Sequence, residues 1–192
     1  MIRILVVDDH PALRAGLGAV LEAEPGLVYV GAVAGDHESL WPALDSIRPD
    51  VVLLDFHLPQ DDGLQMCERI KQRVLAPKVI LYSAHAGPGL VLGATLAGAD
   101  ALLSKAAPAR ELLDVIRRVA AGERPLPPVD REHIDAAAGR IQPEDLPLVG
   151  LVAAGTSRKD IATTMGLTSG EVTERIRRLL GDVRPRIARD AV

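Results

Sequence analysis

Five short apolar runs alternate with stretches of helical periodicity in residues 1–121, and this alternation limits the possible folds more than any other feature. The runs cover residues 2–9, 27–33, 50–55, 78–84 and 100–105. The amphipathic helical patterns between and after them cover residues 11–24, 37–47, 63–73, 87–97 and 108–121. A continuous apolar run indicates a strand buried on both faces, and strands that alternate with helices indicate βαβ units around a parallel sheet. An α/β domain is therefore predicted.

The composition limits the class of protein. The chain has 192 residues, of which 48% are apolar and 25% charged, and this is enough for one ordinary globular domain and a smaller one. Cys67 is the single cysteine, which excludes a disulfide framework and favours a reducing cytoplasm. No apolar run approaches the length that spans a membrane. We therefore expect a cytoplasmic protein without a membrane partner.

A change of pattern divides the chain. The Gly- and Pro-rich stretch "GERPLPP" (122–128) interrupts the alternation of strands and helices and predicts a linker. From residue 143 onward only helical periods occur. The predicted organisation is a first domain at 1–121, a Pro-rich linker with a short helix at 122–142, and a small all-α domain at 143–192.

Polar side chains stand at the carboxyl ends of four predicted strands. They are Asp8, Asp9, Asp55, Ser83 and Lys105. In an open α/β sheet these strand ends lie at one edge, which is where ligands bind. One such residue is ordinarily a helix cap or a solvated loop residue. Capping does not explain polar residues at the same edge of four strands, so a functional cluster is predicted.

The chemistry of this cluster indicates phosphoryl transfer. Two carboxylates about 4 Å apart repel by about 4 kcal/mol at an effective dielectric constant of about 20, so three of them need a cation. Oxygen ligands without His or Cys at metal-binding spacing favour Mg²⁺. A carboxylate beside Mg²⁺ can act as a nucleophile and become an acyl phosphate. Lys105 would offset charge on the phosphoryl group, and Ser83 would donate a hydrogen bond to it.

The motifs at these strand ends resemble the receiver domain of bacterial two-component response regulators. "VVDDH" is similar to the family's acidic pair, "DFHLPQDDG" to its phosphoacceptor turn, "YSA" to its hydroxyl position and "GADALLSK" to its lysine position. The resemblance implies a flavodoxin-like, doubly wound parallel sheet of five strands in the order 2-1-3-4-5. It also implies a protein that is not itself an enzyme but accepts a phosphoryl group from a sensor histidine kinase or a small phosphodonor.

The resemblance also assigns roles to individual residues. Asp55 is the phosphoacceptor, and Ser83 and Lys105 bind the phosphoryl group. The Mg²⁺ ligands are Asp8, Asp9, Asp55 and the backbone carbonyl of His57. Leu102 stands three residues before the lysine, where the family usually has an aromatic switch residue, so the usual readout is missing. Similar regulators form homodimers when phosphorylated, and we expect the same here.

The segment "TSRKDIATTMGLTSGEVTERIRRLL" (156–180) predicts two helices around a tight turn. Thr168 and Glu171 have the spacing of a capping box for the second helix. Periodicity alone fits either a plain helical hairpin or a helix-turn-helix, whose second helix enters the DNA major groove. Residues 149–192 resemble the LuxR/NarL-type output domain, although Thr173 and Asp182 replace lysines that are common in that family. The candidate DNA-binding residues are Arg158, Lys159, Thr173, Glu174, Arg177 and Arg178.

Three functions are therefore compared. The first is a phosphorylation-dependent response regulator that controls transcription by binding DNA. The second keeps the receiver but gives it an output domain that acts through protein interaction or dimerisation. The third is a phosphatase of the haloacid dehalogenase type, which also uses an aspartate at a strand end. That family has a second acid two residues after the nucleophile, where this chain has His57.

Overall fold

The computed structural model describes residues 1–58, 62–84, 86–135, 137 and 139–183. These residues fall into two units. The first unit comprises Met1–Ala86 and Gly98–Leu126, and the second comprises Gly87–Ala97 and the chain from Pro127 onward. One of the boundaries between the units thus lies inside the predicted linker.

A parallel sheet forms the centre of the first unit. Its strands are β1 (Ile2–Val7), β2 (Leu27–Val33), β3 (Val51–Asp55), β4 (Lys78–Ser83) and β5 (Ala101–Ser104). They are arranged in the order β2-β1-β3-β4-β5, and each neighbouring pair is parallel. Every residue of β3 is buried, as the apolar run that ends in Asp55 predicts. The predicted doubly wound fold is confirmed.

The helices of the first unit begin where the sequence provides a start signal. They are α1 (Pro11–Glu22), α2 (His37–Ile47), α3 (Gly63–Lys71) and α5 (Ala109–Ala120). Pro11 occupies the first helical position of α1, and Asp36 caps α2 by accepting a hydrogen bond from the backbone N–H of Ser39 at 2.8 Å. Helix α5 buries one apolar stripe that includes Leu112 and Ile116, as its amphipathic pattern predicts.

Helix α4 (Pro88–Ala97) differs from the prediction of an amphipathic helix. Apolar residues occur on all of its sides, and its buried residues include Leu90, Val91, Leu92, Ala94, Leu96 and Ala97. The helix groups with the second unit, where it contacts the helices that follow the linker. The amphipathic expectation is wrong here because a helix that is buried around its circumference needs no polar face.

The second unit is otherwise built from short helices. They are α6 (Arg131–Asp135), a 3₁₀ turn (Pro143–Asp145), α7 (Leu146–Ala153), α8 (Arg158–Met165) and α9 (Ser169–Val183). Gly166 ends α8 with φ 66°, a left-handed conformation that favours glycine, and so allows the tight turn before α9. Leu148 of α7, Ile161 of α8 and Val172 of α9 are buried, and α8 contacts both α7 and α9. The predicted helix-turn-helix is therefore present in α8 and α9.

Candidate functional site

Asp55 lies at the carboxyl end of β3, and its side chain is buried. The next β-strand partner across the sheet is Tyr82, one residue before the end of β4. The backbone N–H of His57 donates a hydrogen bond to Asp55 Oδ1 at 3.2 Å. The turn after β3 therefore fixes the carboxylate at the sheet edge and supplies a donor to it, as the strand-end argument predicts.

Lys105 connects two of the predicted carboxylates. Its Nζ lies 2.7 Å from Asp8 Oδ2 and 2.9 Å from Asp55 Oδ2. Both aspartates are 1% exposed, so these two negative charges are held inside the protein beside a single ammonium group. The contact brings together the ends of β1, β3 and β5, although Asp8 and Lys105 are 97 positions apart in the sequence.

The acidic cluster fits a divalent cation. Ligand atoms of Asp8, Asp9, His10 and Asp55 lie within 4.8 Å of one another. Among the described residues, the buried atoms Asp9 Oδ1 and Asp55 Oδ2 accept no hydrogen bond of acceptable geometry. The three carboxylates and Lys105 leave two negative charges uncompensated, which one divalent cation would neutralise. The oxygen-rich set is typical of Mg²⁺ sites, so the residues fit the predicted cofactor.

Burial and the neighbouring charges have opposite effects on the pKa of Asp55, and also on the pKa of Lys105. Burial raises the pKa of the Asp55 carboxyl to about 6, although the Lys105 ammonium opposes this shift. Burial disfavours the charge of Lys105, but the contacts with Asp8 and Asp55 outweigh that effect and raise the pKa of the ammonium. Lys105 therefore stays charged, and a cation bound beside Asp55 would favour the ionised form of that carboxylate.

The start of α3 packs directly against the end of β3. The Asp62 carboxylate accepts a hydrogen bond from the backbone N–H of Leu64 at 2.8 Å and so caps the helix. A Cβ atom on Gly63 would lie 2.4 Å from the backbone oxygen of Asp55 and 2.7 Å from Phe56 Cα. Only glycine fits this close approach without a shift of the backbone. The Pro/Gly-punctuated turn was evident in the sequence, but the contact was not.

Ser83 and Leu102 occupy the positions that the sequence predicts. Ser83 is buried at the end of β4, and its carbonyl accepts a hydrogen bond from the backbone N–H of Lys105 at 2.8 Å. Leu102 is half-buried within β5 and pairs with Leu81 of β4. A backbone hydrogen bond therefore joins Ser83 and Lys105, the predicted hydroxyl and lysine positions.

His10 lies beside the site, although its spacing in the sequence is not that of a zinc ligand and predicts only a supporting or surface position. Its Nδ1 lies 2.6 Å from Asp9 Oδ1 and 3.2 Å from Asp8 Oδ1. Its backbone N–H also donates to Asp8 Oδ1 at 2.8 Å. The position directly after the acidic pair was the only signal that could have indicated it.

The capping box predicted for α9 is present. The Thr168 backbone N–H donates to Glu171 Oε2 at 2.7 Å, and the Glu171 backbone N–H donates to Thr168 Oγ1 at 3.2 Å. Val172 and Ile176 are buried, so one face of α9 is apolar and packed. The helix therefore begins and orients as the sequence predicts.

The candidate DNA-binding residues differ in exposure. Lys159, Glu174, Arg177 and Arg178 are exposed, whereas Arg158 and Thr173 are half-buried and joined by a hydrogen bond of 3.4 Å. The described parts of the second unit therefore present both basic and acidic side chains on α8 and α9. This mixture predicts a modest positive potential on the surface that would face DNA.

Asp145 forms an ion pair that the sequence did not reveal. This fully buried residue accepts a hydrogen bond at Oδ2 from Arg178 Nη2 at 2.8 Å, and its Oδ1 lies 3.7 Å from Arg175 Nη1. The hydrogen bond and charge of Asp145 raise the pKa of Arg178. An aspartate before a helix is ordinarily interpreted as a cap, so the sequence carried no separate signal for this contact.

Comparison with known proteins places the chain in a family. Residues 4–117 match the family model of the response regulator receiver domain. The chain is 30% identical over 190 residues to the DNA-binding transcriptional activator DevR/DosR of Mycobacterium tuberculosis, with 94% of this chain and 87% of that protein covered. It is 27% identical over 188 residues to the nitrate/nitrite response regulator protein NarL of Escherichia coli K12, covering 92% and 87% of the two chains.

Solved structures give the same result. A two-component response regulator of the LuxR family from Aurantimonas sp. SI85-9A1 is 29% identical, with a TM-score of 0.62 and coverage of 72% of this chain and 99% of that one. Within the described residues, no helix is long and apolar enough to cross a membrane. The predicted resemblance is confirmed: the chain belongs to the family of two-component response regulators that carry a receiver domain.

Proposed function

We propose that this protein accepts a phosphoryl group on Asp55 and thereby controls transcription through its helix-turn-helix. The observation that carries this proposal is the ammonium of Lys105, held between the buried carboxylates of Asp8 and Asp55 at the sheet edge. The similarity to transcriptional response regulators supports the second half of the proposal. No observation favours an output domain that acts through protein contacts alone.

The chemical step is a displacement at phosphorus. An ionised oxygen of Asp55 attacks the phosphorus of the donor, which is the phosphohistidine of a sensor kinase or a small acyl phosphate. The new oxygen–phosphorus bond forms as the bond to the leaving group breaks, and the leaving group departs with the electron pair of that bond. Lys105 stabilises the added negative charge from one side of the carboxylate. Ser83, buried at the end of β4, would donate its hydroxyl hydrogen to a phosphoryl oxygen.

The acidic pair completes the site. Asp8, Asp9, Asp55 and the backbone carbonyl of His57 would hold Mg²⁺, which would neutralise charge on the phosphoryl oxygens. Asp8 is already paired with Lys105, and His57 already donates its N–H to Asp55 Oδ1. These contacts hold the ligand groups in place before a donor arrives, so little reorganisation is needed during the reaction.

We further propose that α9 is the recognition helix. Its buried face carries Val172 and Ile176, so the exposed side chains of Glu174, Arg177 and Arg178 are the ones that can meet DNA. Arginine can contact phosphates or guanine edges, and a glutamate can accept a hydrogen bond from cytosine N4. The remaining proposed contacts are Arg158, Lys159 and Thr173. Phosphorylation would favour a homodimer that engages two half-sites together.

Mass measurement on intact protein tests the first half of this proposal. The chain is incubated with acetyl phosphate, with and without Mg²⁺, and we expect one added phosphate that depends on the metal. Asp55→Asn keeps the size of the side chain but removes the nucleophile, and it should gain no mass. A phosphorylated Asp55→Asn protein would show that another residue is the acceptor.

A gel shift on the same samples tests the second half. The phosphorylated wild type should retain genomic DNA fragments that the untreated protein retains less well. If phosphate is gained but no fragment is retained, then the receiver chemistry is correct and transcriptional control is wrong.

A further inference from the structure

Asp145 stands at the N-terminus of α7 but does not cap it. Its backbone occupies the capping position, yet its side chain accepts no capping hydrogen bond from α7. The carboxylate instead meets α9, with Arg178 Nη2 at 2.8 Å from Oδ2 and Arg175 Nη1 at 3.7 Å from Oδ1. The Asp145 carboxylate, which would ordinarily cap α7, therefore pairs with arginines of α9, the proposed recognition helix.

The sequence after Asp145 explains this orientation. A capping carboxylate usually accepts from the N–H of the second or third helical residue, and here the second is Pro147, which has no N–H. One of the two usual donors is therefore missing. Asp145 is fully buried, and a buried carboxylate is unfavourable unless a cation and hydrogen bonds compensate it. Arg178 supplies a hydrogen bond to Oδ2 and both arginines supply positive charge, whereas Oδ1 accepts no hydrogen bond from the described residues.

This contact changes the charge that α9 can offer to DNA. The helix contains three arginines and three acidic residues, which are Arg175, Arg177, Arg178, Glu171, Glu174 and Asp182. Two of the three arginines lie beside Asp145, whose single negative charge offsets one of their two positive charges within the protein. A neutralised guanidinium releases fewer counterions when it approaches a phosphate.

We infer that Asp145 is a positioning residue that withholds Arg178, and to a smaller extent Arg175, from DNA phosphates. The inference rests on the proposed DNA binding by α9 and adds an internal competitor to it. A phosphate must displace the carboxylate of Asp145 before it can take the full charge of Arg178. Asp145 therefore limits the electrostatic part of DNA affinity and leaves discrimination to the contacts with bases.

The salt dependence of DNA binding tests this inference in the full-length protein. The probe is a 30-base-pair duplex of random sequence, and fluorescence anisotropy gives the affinity between about 50 and 200 mM KCl. Each phosphate contact that an arginine gains steepens the slope of log affinity against log salt by about 0.9. Asp145→Asn should steepen the slope by about 0.9, because the removal of one negative charge leaves one arginine charge uncompensated.

Two variants distinguish release of arginines from other effects. Glu144→Gln removes the same charge at the exposed neighbouring position, and it should change the slope by less than half as much. Asp145→Glu keeps a carboxylate and should retain the wild-type slope. Equal slopes for Asp145→Asn and Glu144→Gln would overturn the inference, because net charge alone would then explain the effect.

Arg178→Gln provides a second test, and its measurement in the otherwise wild-type protein does not depend on the folding of an Asp145 variant. Glutamine keeps an N–H donor for Asp145 but removes the positive charge. In the wild-type background this change should reduce the slope by less than half of the roughly 0.9 that one phosphate contact contributes. In the Asp145→Asn background the same change should reduce the slope by the full amount of about 0.9. A full loss of about 0.9 in the wild-type background would overturn the inference while DNA binding stands. If no variant binds the duplex at about 50 mM KCl even after phosphorylation with acetyl phosphate and Mg²⁺, both the inference and the proposed DNA binding are wrong.

Discussion

At the scale of single residues, the turn after β3 depends on the absence of a side-chain carbon at Gly63. A Cβ on Gly63 would lie 2.4 Å from the Asp55 carbonyl oxygen and 2.7 Å from Phe56 Cα, and both are backbone atoms. We expect Gly63→Ala to lower the free energy of unfolding by about 1–3 kcal/mol and to slow phosphorylation, because the backbone of Asp55 must move. Urea denaturation measures the first effect and intact mass over time the second.

Gly16 provides the matched control for this substitution. It is exposed in α1, and an added Cβ would meet nothing within 4 Å. Gly16→Ala should stabilise the protein by about 0.5–1 kcal/mol, since alanine is favoured over glycine inside a helix. Equal effects of the two substitutions would show that the close approach of Gly63 is not constraining.

The raised pKa of Asp55 predicts how phosphorylation depends on pH. Burial raises this pKa to about 6, above the ordinary value of 3.8, and only the ionised carboxylate attacks phosphorus. At low Mg²⁺ the rate with acetyl phosphate should fall as pH decreases through about 6, by up to tenfold per pH unit. Because the Lys105 ammonium opposes the shift, Lys105→Gln should move the midpoint to higher pH. A rate that is constant between about pH 5 and 8 would contradict this.

The same shift predicts a stabilising substitution. Because the folded-state pKa of Asp55 lies above the unfolded value, the contribution of this group is fully present below about pH 3.8 and is lost as pH rises through about 6. At pH 7 without metal, Asp55→Asn should therefore raise the free energy of unfolding by about 1–3 kcal/mol. The difference from wild type should shrink towards pH 4. Chemical denaturation at both pH values measures it.

At the scale of elements, the sequence predicts the strands and helices that follow from the local pattern of apolar residues. Buried parallel strands show as continuous apolar runs, so the strand ends and the joint position of Asp8, Asp55 and Lys105 followed from topology. The partner of Asp145 did not follow, because an aspartate before a helix has the same local signature whether it caps that helix or binds an arginine 33 residues later. The contact of Gly63 with β3 was also hidden, since close approach is a property of packing and not of periodicity.

Helix α4 is the element with the least predictable environment. Its apolar residues are buried, and it contacts α6, α7 and α9 within the second unit. We expect the fragment 127–192, which lacks α4, to expose apolar surface that the intact chain covers. The fragment should bind an apolar fluorescent dye more strongly than the intact chain at the same concentration, while circular dichroism still shows helix. Equal dye binding by the two would show that α4 is not needed to cover these helices.

At the scale of the whole molecule, charge works against DNA binding. The net charge of the chain is −4, and residues 141–192 carry eight basic and seven acidic side chains. Such a chain has no long-range field that attracts nucleic acid, so affinity must come from a few local contacts. A single output domain should then bind DNA weakly and with a shallow salt dependence, and two domains bound together should be needed for useful affinity.

The proposed phosphorylation of Asp55 would provide a means of bringing two copies together. It would convert the Asp55 carboxylate, which has one negative charge, to an acyl phosphate with about −1.5 to −2 charges, and such a change can shift the protein between two states that differ in their contacts. With Leu102 in place of the usual aromatic, this shift must reach the dimer surface without a rotating ring.

We expect beryllofluoride with Mg²⁺, which mimics the phosphoryl group, to convert the monomer to a dimer in sedimentation velocity. It should also roughly double the slope of log DNA affinity against log salt, because a dimer makes twice as many phosphate contacts. Asp55→Asn is the control and should remain monomeric with the shallow slope. One unchanged sedimenting species with and without beryllofluoride would show that phosphorylation of this receiver acts on something other than dimerisation.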